Sequence, residues 1–134
     1  MVAALVLGYK MKLTSTASYT FTFAEIRAFG IITLDDQPIH NIQGIVQAGL
    51  VLATLPKFGF LCPEIKKLLT QGAMTVAIES KFRHPIRAND GVNITFTVDK
   101  ITNPVLKLHF TITCKDIICC EGIWKVLKTH DQVE

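Results

Sequence analysis

Val92-Asn93-Ile94-Thr95-Phe96-Thr97-Val98-Asp99 is the stretch that decides the fold: every second residue is apolar and every residue between is polar. Strict period-two alternation is the mark of a strand with one face against a core and the other toward water. The same rhythm returns in Leu106, Leu108, Phe110, Ile112 and Cys114, set against Lys107, His109, Thr111 and Thr113. It is weaker in Met74, Val76 and Ile78, and a last strand is expected from about Ile117 to Leu127, with Gly122 as a candidate bulge. Asn89-Asp90-Gly91, Asn103-Pro104 and Lys115-Asp116 supply the turns, so the strands connect as antiparallel neighbours. An early strand near Tyr9–Ser18 completes the sheet.

Before Gln71 the period changes. Thr22 and Glu25 form a capping box opening a helix that carries Ile26, Phe29 and Ile32 on one stripe. Asp35-Asp36-Gln37-Pro38 interrupts it, because proline cannot continue a helix and its predecessor avoids helical dihedrals. A second helix is expected from Ile45 to Leu55, apolar nearly all round and therefore buried. Gly59, Cys62-Pro63 and Glu64–Leu69 read as a loop with a short helical turn. The expectation is an α+β fold, a curved antiparallel sheet wrapped around one central apolar helix, which is the hot-dog architecture. A sheet of this kind has two open edges, and pairing with a second copy would cover one.

Composition agrees with a single domain over residues 1–134. Hydrophobic residues make up 49% of the chain and charged residues 19%, which excludes disorder and calls for a large core or a buried interface. The net charge of +3 is too small and scattered for a nucleic-acid partner. Gly44–Pro56, thirteen nearly apolar residues, falls short of the ~20 that span a bilayer, so no membrane insertion is expected. Met1–Gly8 lacks the leading positive charge of a signal peptide, and a cytoplasmic protein is expected. The four cysteines lack paired Cys-x-x-Cys spacing and read as buried thiols, with neither a metal nor a cofactor expected.

Asp35-Asp36-Gln37-Pro38-Ile39-His40 is the constellation that carries chemistry. A carboxylate and an imidazole five residues apart, around a proline-fixed turn, can converge on one water and exchange its proton near neutral pH. By spacing alone, a turn-capping Asp beside a partly buried His is the plainer account.

Three segments in order resemble the MaoC-like dehydratase and (R)-specific enoyl-CoA hydratase family. Thr22–Gly30 leading into Asp35–His40 resembles its helix and Asp-x-Asn-Pro-x-His motif. Gly44-Ile-Val-Gln-Ala-Gly49 resembles the Ile-Val-His-Gly start of its central helix, and Phe82–Val92 resembles its Phe-x-x-Pro-Val-x-x-Gly-Asp-x-Val segment. The resemblance covers about Gly8 to Lys128. It implies reversible syn-hydration of a trans-2-enoyl thioester, with Asp35 and His40 as the catalytic pair. Backbone N–H groups near Ala48 and Gly49 would receive the enolate oxygen, although Gly49 equally suits close helix packing. Arg83 and Arg87 would form a rim for the phosphates of an acyl-CoA or acyl-carrier-protein substrate, or an ordinary solvated edge. A homodimer is also implied.

The chain departs from the family pattern at Gln37 in place of Asn and at Gln47 in place of His. Only four residues separate His40 from Ile45, where the family carries a longer segment, so a shallower pocket is expected. The family's helix serine has no counterpart. His84 reads as surface or interface, His109 as solvent-facing and His130 as part of a polar tail. Trp124 and the phenylalanines at 29, 96 and 110 read as core. The alternatives are a non-catalytic acyl-thioester-binding or partner subunit and an acyl-CoA thioesterase. The thioesterase is disfavoured by the absence of any Asp or Glu from Ile45 to Lys57.

Overall fold

The structure is a computed structural model that describes residues 13–70, 72–102 and 104–128, with side chains 99–102 outside the description. Strand β1 (Thr14–Thr20) is followed by helix α1 (Phe23–Thr33) and a single turn, α2 (Pro38–Asn41). Three short helices come next: α3 (Ala48–Ala53), α4 (Leu55–Leu61) and α5 (Pro63–Leu69). Strands β2 (Ala73–Phe82), β3 (Gly91–Thr102), β4 (Val105–Cys114) and β5 (Ile117–Lys128) complete one sheet in the order β1-β3-β4-β5-β2. All pairings are antiparallel, as the alternation implies. The part of the early strand expected at Tyr9–Lys12, the tail with His130, and Met1–Gly8 lie outside the described residues.

The alternating residues face as their period requires. Val92, Ile94 and Phe96 of β3 and Leu106, Leu108, Phe110 and Ile112 of β4 are buried, and Trp124 and Val126 of β5 join them. Against this face lie Val51, Leu55, Phe58, Cys62, Ile65 and Leu69, whose spacing of three or four residues is one helical stripe. The helix expected from Ile45 to Leu55 is shorter, Ala48–Ala53, and two further helices follow it. Pro56 has no N–H to return to Leu52 O, and α3 ends at Ala53 with Thr54 as its cap, whose hydroxyl donates to Leu50 O at 2.6 Å. Pro63 imposes a second break, with Cys62 extended at φ −98°, ψ 111°. Ile45 and Val46 are not helical either, and Glu64–Leu69 is a full helix rather than a loop with one turn. Nor are these helices buried all round: Lys57, Phe60 and Leu61 face outward.

Two further expectations change. The bulge of β5 falls at Cys119, where the register slips between Ile112 and Thr113 of β4. Gly122 stays in register and meets a different need: a Cβ there would collide with Glu79 O and lie 2.9 Å from Phe110 Cζ. The stripe of α1 runs through Ile26 and Gly30, with Phe29 half-buried and Ile32 exposed. The β4–β5 hairpin closes on Lys115 (φ 51°) and Asp116 (φ 65°), the two left-handed residues that match strand twist.

The capping box forms as read. Thr22 N donates to Glu25 Oε1 at 2.9 Å, and Glu25 N donates to Thr22 Oγ1 at 3.1 Å. The Tyr19 hydroxyl also donates to Glu25, and Lys57 Nζ donates to that hydroxyl at 3.0 Å, tying β1 and α4 to the start of α1. Burial pushes the Glu25 carboxyl up, but the hydrogen bonds from Tyr19 and Thr22, helped by the Lys57 charge, outweigh it and hold the group below its ordinary value. Its stabilising contribution is therefore present above the carboxylate's unfolded value and lost as pH falls through its lower folded value. Thr22→Ala should cost about 0.5–2 kcal/mol, read as a lower urea midpoint. The midpoint difference between wild type and Glu25→Gln should be full at neutral pH and narrow in acid; a constant difference would show that the carboxylate's charge contributes nothing.

Candidate active site

The turn between α1 and α2 is shaped by its backbone before its side chains matter. Leu34 closes α1 in the left-handed region at φ 60°, and Asp35 N donates to Gly30 O at 2.8 Å. A Cβ on Gly30 would lie 2.6 Å from Asp35 O, so a glycine is needed for the chain to fold back this tightly. Gln37 then caps α2, Pro38 starts it, and His40 N returns to Gln37 O at 3.0 Å. One helical turn thus brings the imidazole back toward the carboxylate.

Asp35 and His40 converge. Asp35 Oδ2 stands 3.6 Å from His40 Nε2, with the side chains 30% and 16% exposed, so both are held by the protein and still open to a reactant. The other imidazole nitrogen, Nδ1, is 2.7 Å from Ile45 O. A carbonyl only accepts, so in the neutral ring Nδ1 carries the hydrogen and Nε2 presents its lone pair to Asp35. The gap of 3.6 Å exceeds a hydrogen bond. Two acceptors facing one another at that distance suit a donor that serves both, and water is the simplest such donor.

The acceptor for Nδ1 is itself braced. Ile45 pairs with Arg87 in an isolated antiparallel bridge, flanked by Val46 N to Ile86 O at 2.8 Å and Ala88 N to Gly44 O at 2.7 Å. Gly44 makes this approach possible at φ +77°, where a Cβ would meet Phe23 Cζ at 2.8 Å. Ile45 also lines a largely apolar pocket of about 290 Å³ between Val46, Ala48 and Val51 on one side and Phe82–Ile86 on the other. Asp35 and His40 do not themselves line it; Ile45 is the residue shared between the pair and the pocket.

The remaining expected site residues fall as follows. Ala48 and Gly49 are exposed in the first turn of α3, where backbone N–H groups have no partner within the helix. A Cβ on Gly49 would sit 3.0 Å from Phe29 Cζ, so its packing role is visible too. Gln47 is buried, its Nε2 donating to Ile26 O at 2.9 Å, and it ties the entry of α3 to α1. Arg83 lies at the pocket, but its guanidinium is ion-paired with Glu121, so its charge is already matched. Arg87 is exposed beside the Ile45 bridge. His84 lines the pocket from its exposed side, and His109 is exposed on β4.

The cysteines are free thiols. Burial pushes Cys62 and Cys119 up, and burial with the neighbouring Cys119 and Glu121 pushes Cys120 up to about 12. Cys62, Cys119 and Cys120 therefore remain protonated and make poor nucleophiles. No group of three or more His, Cys, Asp and Glu side chains suited to a metal ion occurs among the described residues. No helix among the described residues is long and apolar enough to cross a membrane.

No family model matches the chain, and no curated protein does at a significant level. Its fold, however, is shared with solved structures. The (R)-hydratase from A. caviae involved in PHA biosynthesis superposes with a TM-score of 0.72 at 22% identity, over 88% of this chain and 96% of that one. The HadBC (3R-hydroxyacyl-ACP dehydratase) complex from Mycobacterium tuberculosis gives 0.71 at 10% identity, over 87% and 96%. The fluoroacetyl-CoA-specific thioesterase FlK gives 0.70 at 9% identity, over 90% and 87%. At these identities the likeness concerns the backbone. The chain has the α+β hot-dog fold, with MaoC-like hydratases and dehydratases among its structural neighbours.

Proposed function

We propose that the protein is an (R)-specific enoyl-CoA hydratase or 3-hydroxyacyl-thioester dehydratase, adding water reversibly to a trans-2-enoyl thioester. The observation that carries this is the convergence of Asp35 and His40 across 3.6 Å, with the His40 tautomer fixed by Ile45 O. The chemistry follows from those atoms. Water held between the two acceptors attacks C3 while His40 Nε2 takes its proton, and the new imidazolium is stabilised by the Asp35 carboxylate. Electrons displaced from the C2–C3 double bond gather on the thioester oxygen as an enolate. In this reading the first N–H groups of α3, at Ala48 and Gly49, receive it. The imidazolium then returns a proton to C2, so H and OH arrive on one face and the catalyst is regenerated.

The pocket beside Ile45 would take the start of the acyl chain, and Arg87, rather than the ion-paired Arg83, would meet a phosphate of CoA or of a carrier protein. Exposed Met74, Val76 and Phe82 on the open β2 edge support a homodimer. The reading places the protein in cytoplasmic fatty-acyl metabolism. A thioesterase reading has a structural neighbour in its favour but no carboxylate between Ile45 and Lys57 to activate a water.

Purified protein incubated with crotonyl-CoA and longer trans-2-enoyl-CoAs should bleach the ultraviolet absorbance of the conjugated enoyl thioester and release no free thiol. Thiol release would establish the thioesterase instead. Tight acyl-CoA binding without turnover would establish a binding subunit.

A further inference from the structure

We infer that Gln37 is the positioning residue that sets the separation of Asp35 and His40, an inference that rests on the hydratase reading and adds a residue to it. Gln37 touches both members of the pair. Its backbone carbonyl accepts from His40 N at 3.0 Å, and its side-chain Nε2 donates to Asp35 Oδ1 at 2.9 Å. Its own backbone is held extended at φ −62°, ψ 139° as the cap of α2, ahead of Pro38. One residue therefore fixes the start of the turn that carries the imidazole and also the rotation of the carboxylate.

That rotation is otherwise loosely set. The terminal torsion of an aspartate is broad and two-fold, and at 3.6 Å the imidazole does not hold the carboxylate by a direct bond. With Oδ1 engaged by Gln37, Oδ2 is the oxygen turned to His40, and Nε2 stays available to a reactant. Without the tie, the carboxylate can rotate and withdraw Oδ2 from His40 Nε2, so that the two acceptors no longer face one water. The length of the arm matters: a Gln places its amide one methylene further out than the Asn of the resembling motif, and here that amide reaches back two residues onto Asp35. Gln37 is exposed and contributes nothing to the core, so its replacement can be read without a folding penalty.

The test compares Gln37→Met, which keeps the arm's length without the donor, and Gln37→Glu, which places an acceptor where the donor stood. Both should keep the wild-type melting temperature and a KM within about twofold, while kcat falls about 10- to 100-fold, the loss that a misplacement near 1 Å produces. A second readout does not depend on turnover: nitrogen-15 NMR should show the Nδ1–H tautomer of His40 in both proteins, with the Nε2 resonance displaced in Gln37→Met as the carboxylate facing it rotates away. Full kcat with only stability altered, or an unchanged His40 spectrum in Gln37→Met, would overturn the inference. A wild type that hydrates no enoyl thioester would sink the hydratase reading, while the NMR comparison would still decide whether Gln37 governs the pair.

Discussion

Asp35→Asn should lower kcat for enoyl-CoA hydration by about 10²- to 10⁴-fold, with KM little changed, and His40→Ala should do the same. The reasoning differs for the two. Replacing the carboxylate of Asp35 by a carboxamide keeps the shape of the side chain, and the remaining carbonyl oxygen could still accept from Gln37. The new amide nitrogen would then face His40 Nε2, where the carboxylate oxygen now stands 3.6 Å away, and would donate to the lone pair meant for water. The base is thus occupied by its neighbour, and the imidazolium loses its counter-charge. His40→Ala removes the base outright and leaves Ile45 O without its side-chain donor. Because the two groups act on one proton, the double variant should be no slower than the slower single one, since residues that work as a unit are strongly non-additive. Far-ultraviolet circular dichroism would confirm folding of each. Retention of activity within about threefold in a folded Asp35→Asn or His40→Ala protein would exclude the proposed mechanism.

The sheet is legible in the sequence because its information is local. A strand against one core must alternate, and Val92–Val98 and Leu106–Cys114 do so without exception. The hairpin at Lys115-Asp116 and the capping box at Thr22/Glu25 likewise depend on residues a few positions apart. The helical layer departs from expectation where composition and proline disagree. An apolar run from Ile45 to Leu55 suggests one buried helix, yet the helix ends at Ala53, ahead of Pro56, and Ile45 is drawn into a backbone bridge with Arg87 from a distant loop. Such a pairing leaves no trace in side-chain pattern.

The site divides in the same way. Asp35 and His40 stand out in the sequence because their residue types bear the chemistry and the proline between them announces a turn. What orients them is mostly backbone: the carbonyl of Ile45, the left-handed Leu34 and the missing Cβ of Gly30. A carbonyl is present at every position, so no residue type points to it. Gly30 does carry a signal, as a glycine inside a helical pattern five residues before the aspartate. Arg83 is the opposite case. Its type and place suggest a phosphate rim, while its ion-pair partner Glu121 is brought beside it by the β2–β5 register and leaves no local trace in the sequence.

Trp124→Ala should have the largest effect on stability, about 3–5 kcal/mol, out of the roughly 5–15 kcal/mol usual for a whole domain. Trp124 is only 2% exposed and heads the fully buried side chains by volume. It sits in the middle of β5, opposite Leu108 of β4 and Ile78 of β2, and packs its ring 5.8 Å from that of Phe96. Its loss would do more than remove contacts. A pocket of about 370 Å³, bounded by Pro56, Phe60 and Leu69 of the helices and by Trp124 and Val126 of the sheet, adjoins the ring. Without the indole this space would open into the core and admit water to its apolar lining. The indole N–H donates to Thr75 Oγ1 at 2.9 Å, but Thr75 is exposed and its hydroxyl can turn to solvent. Trp124→Phe should accordingly cost far less, near the roughly 0.5–1.5 kcal/mol of one hydrogen bond plus a small packing loss. The Asp35–His40 pair is braced by Gly30, Gln37 and Ile45 rather than by Trp124, so the folded fraction of Trp124→Ala should keep its kcat. Urea denaturation would read the first effect, and turnover at low temperature the second. A stability change under about 1 kcal/mol would show that the helices collapse onto the vacated space and that the core is not organised around this ring.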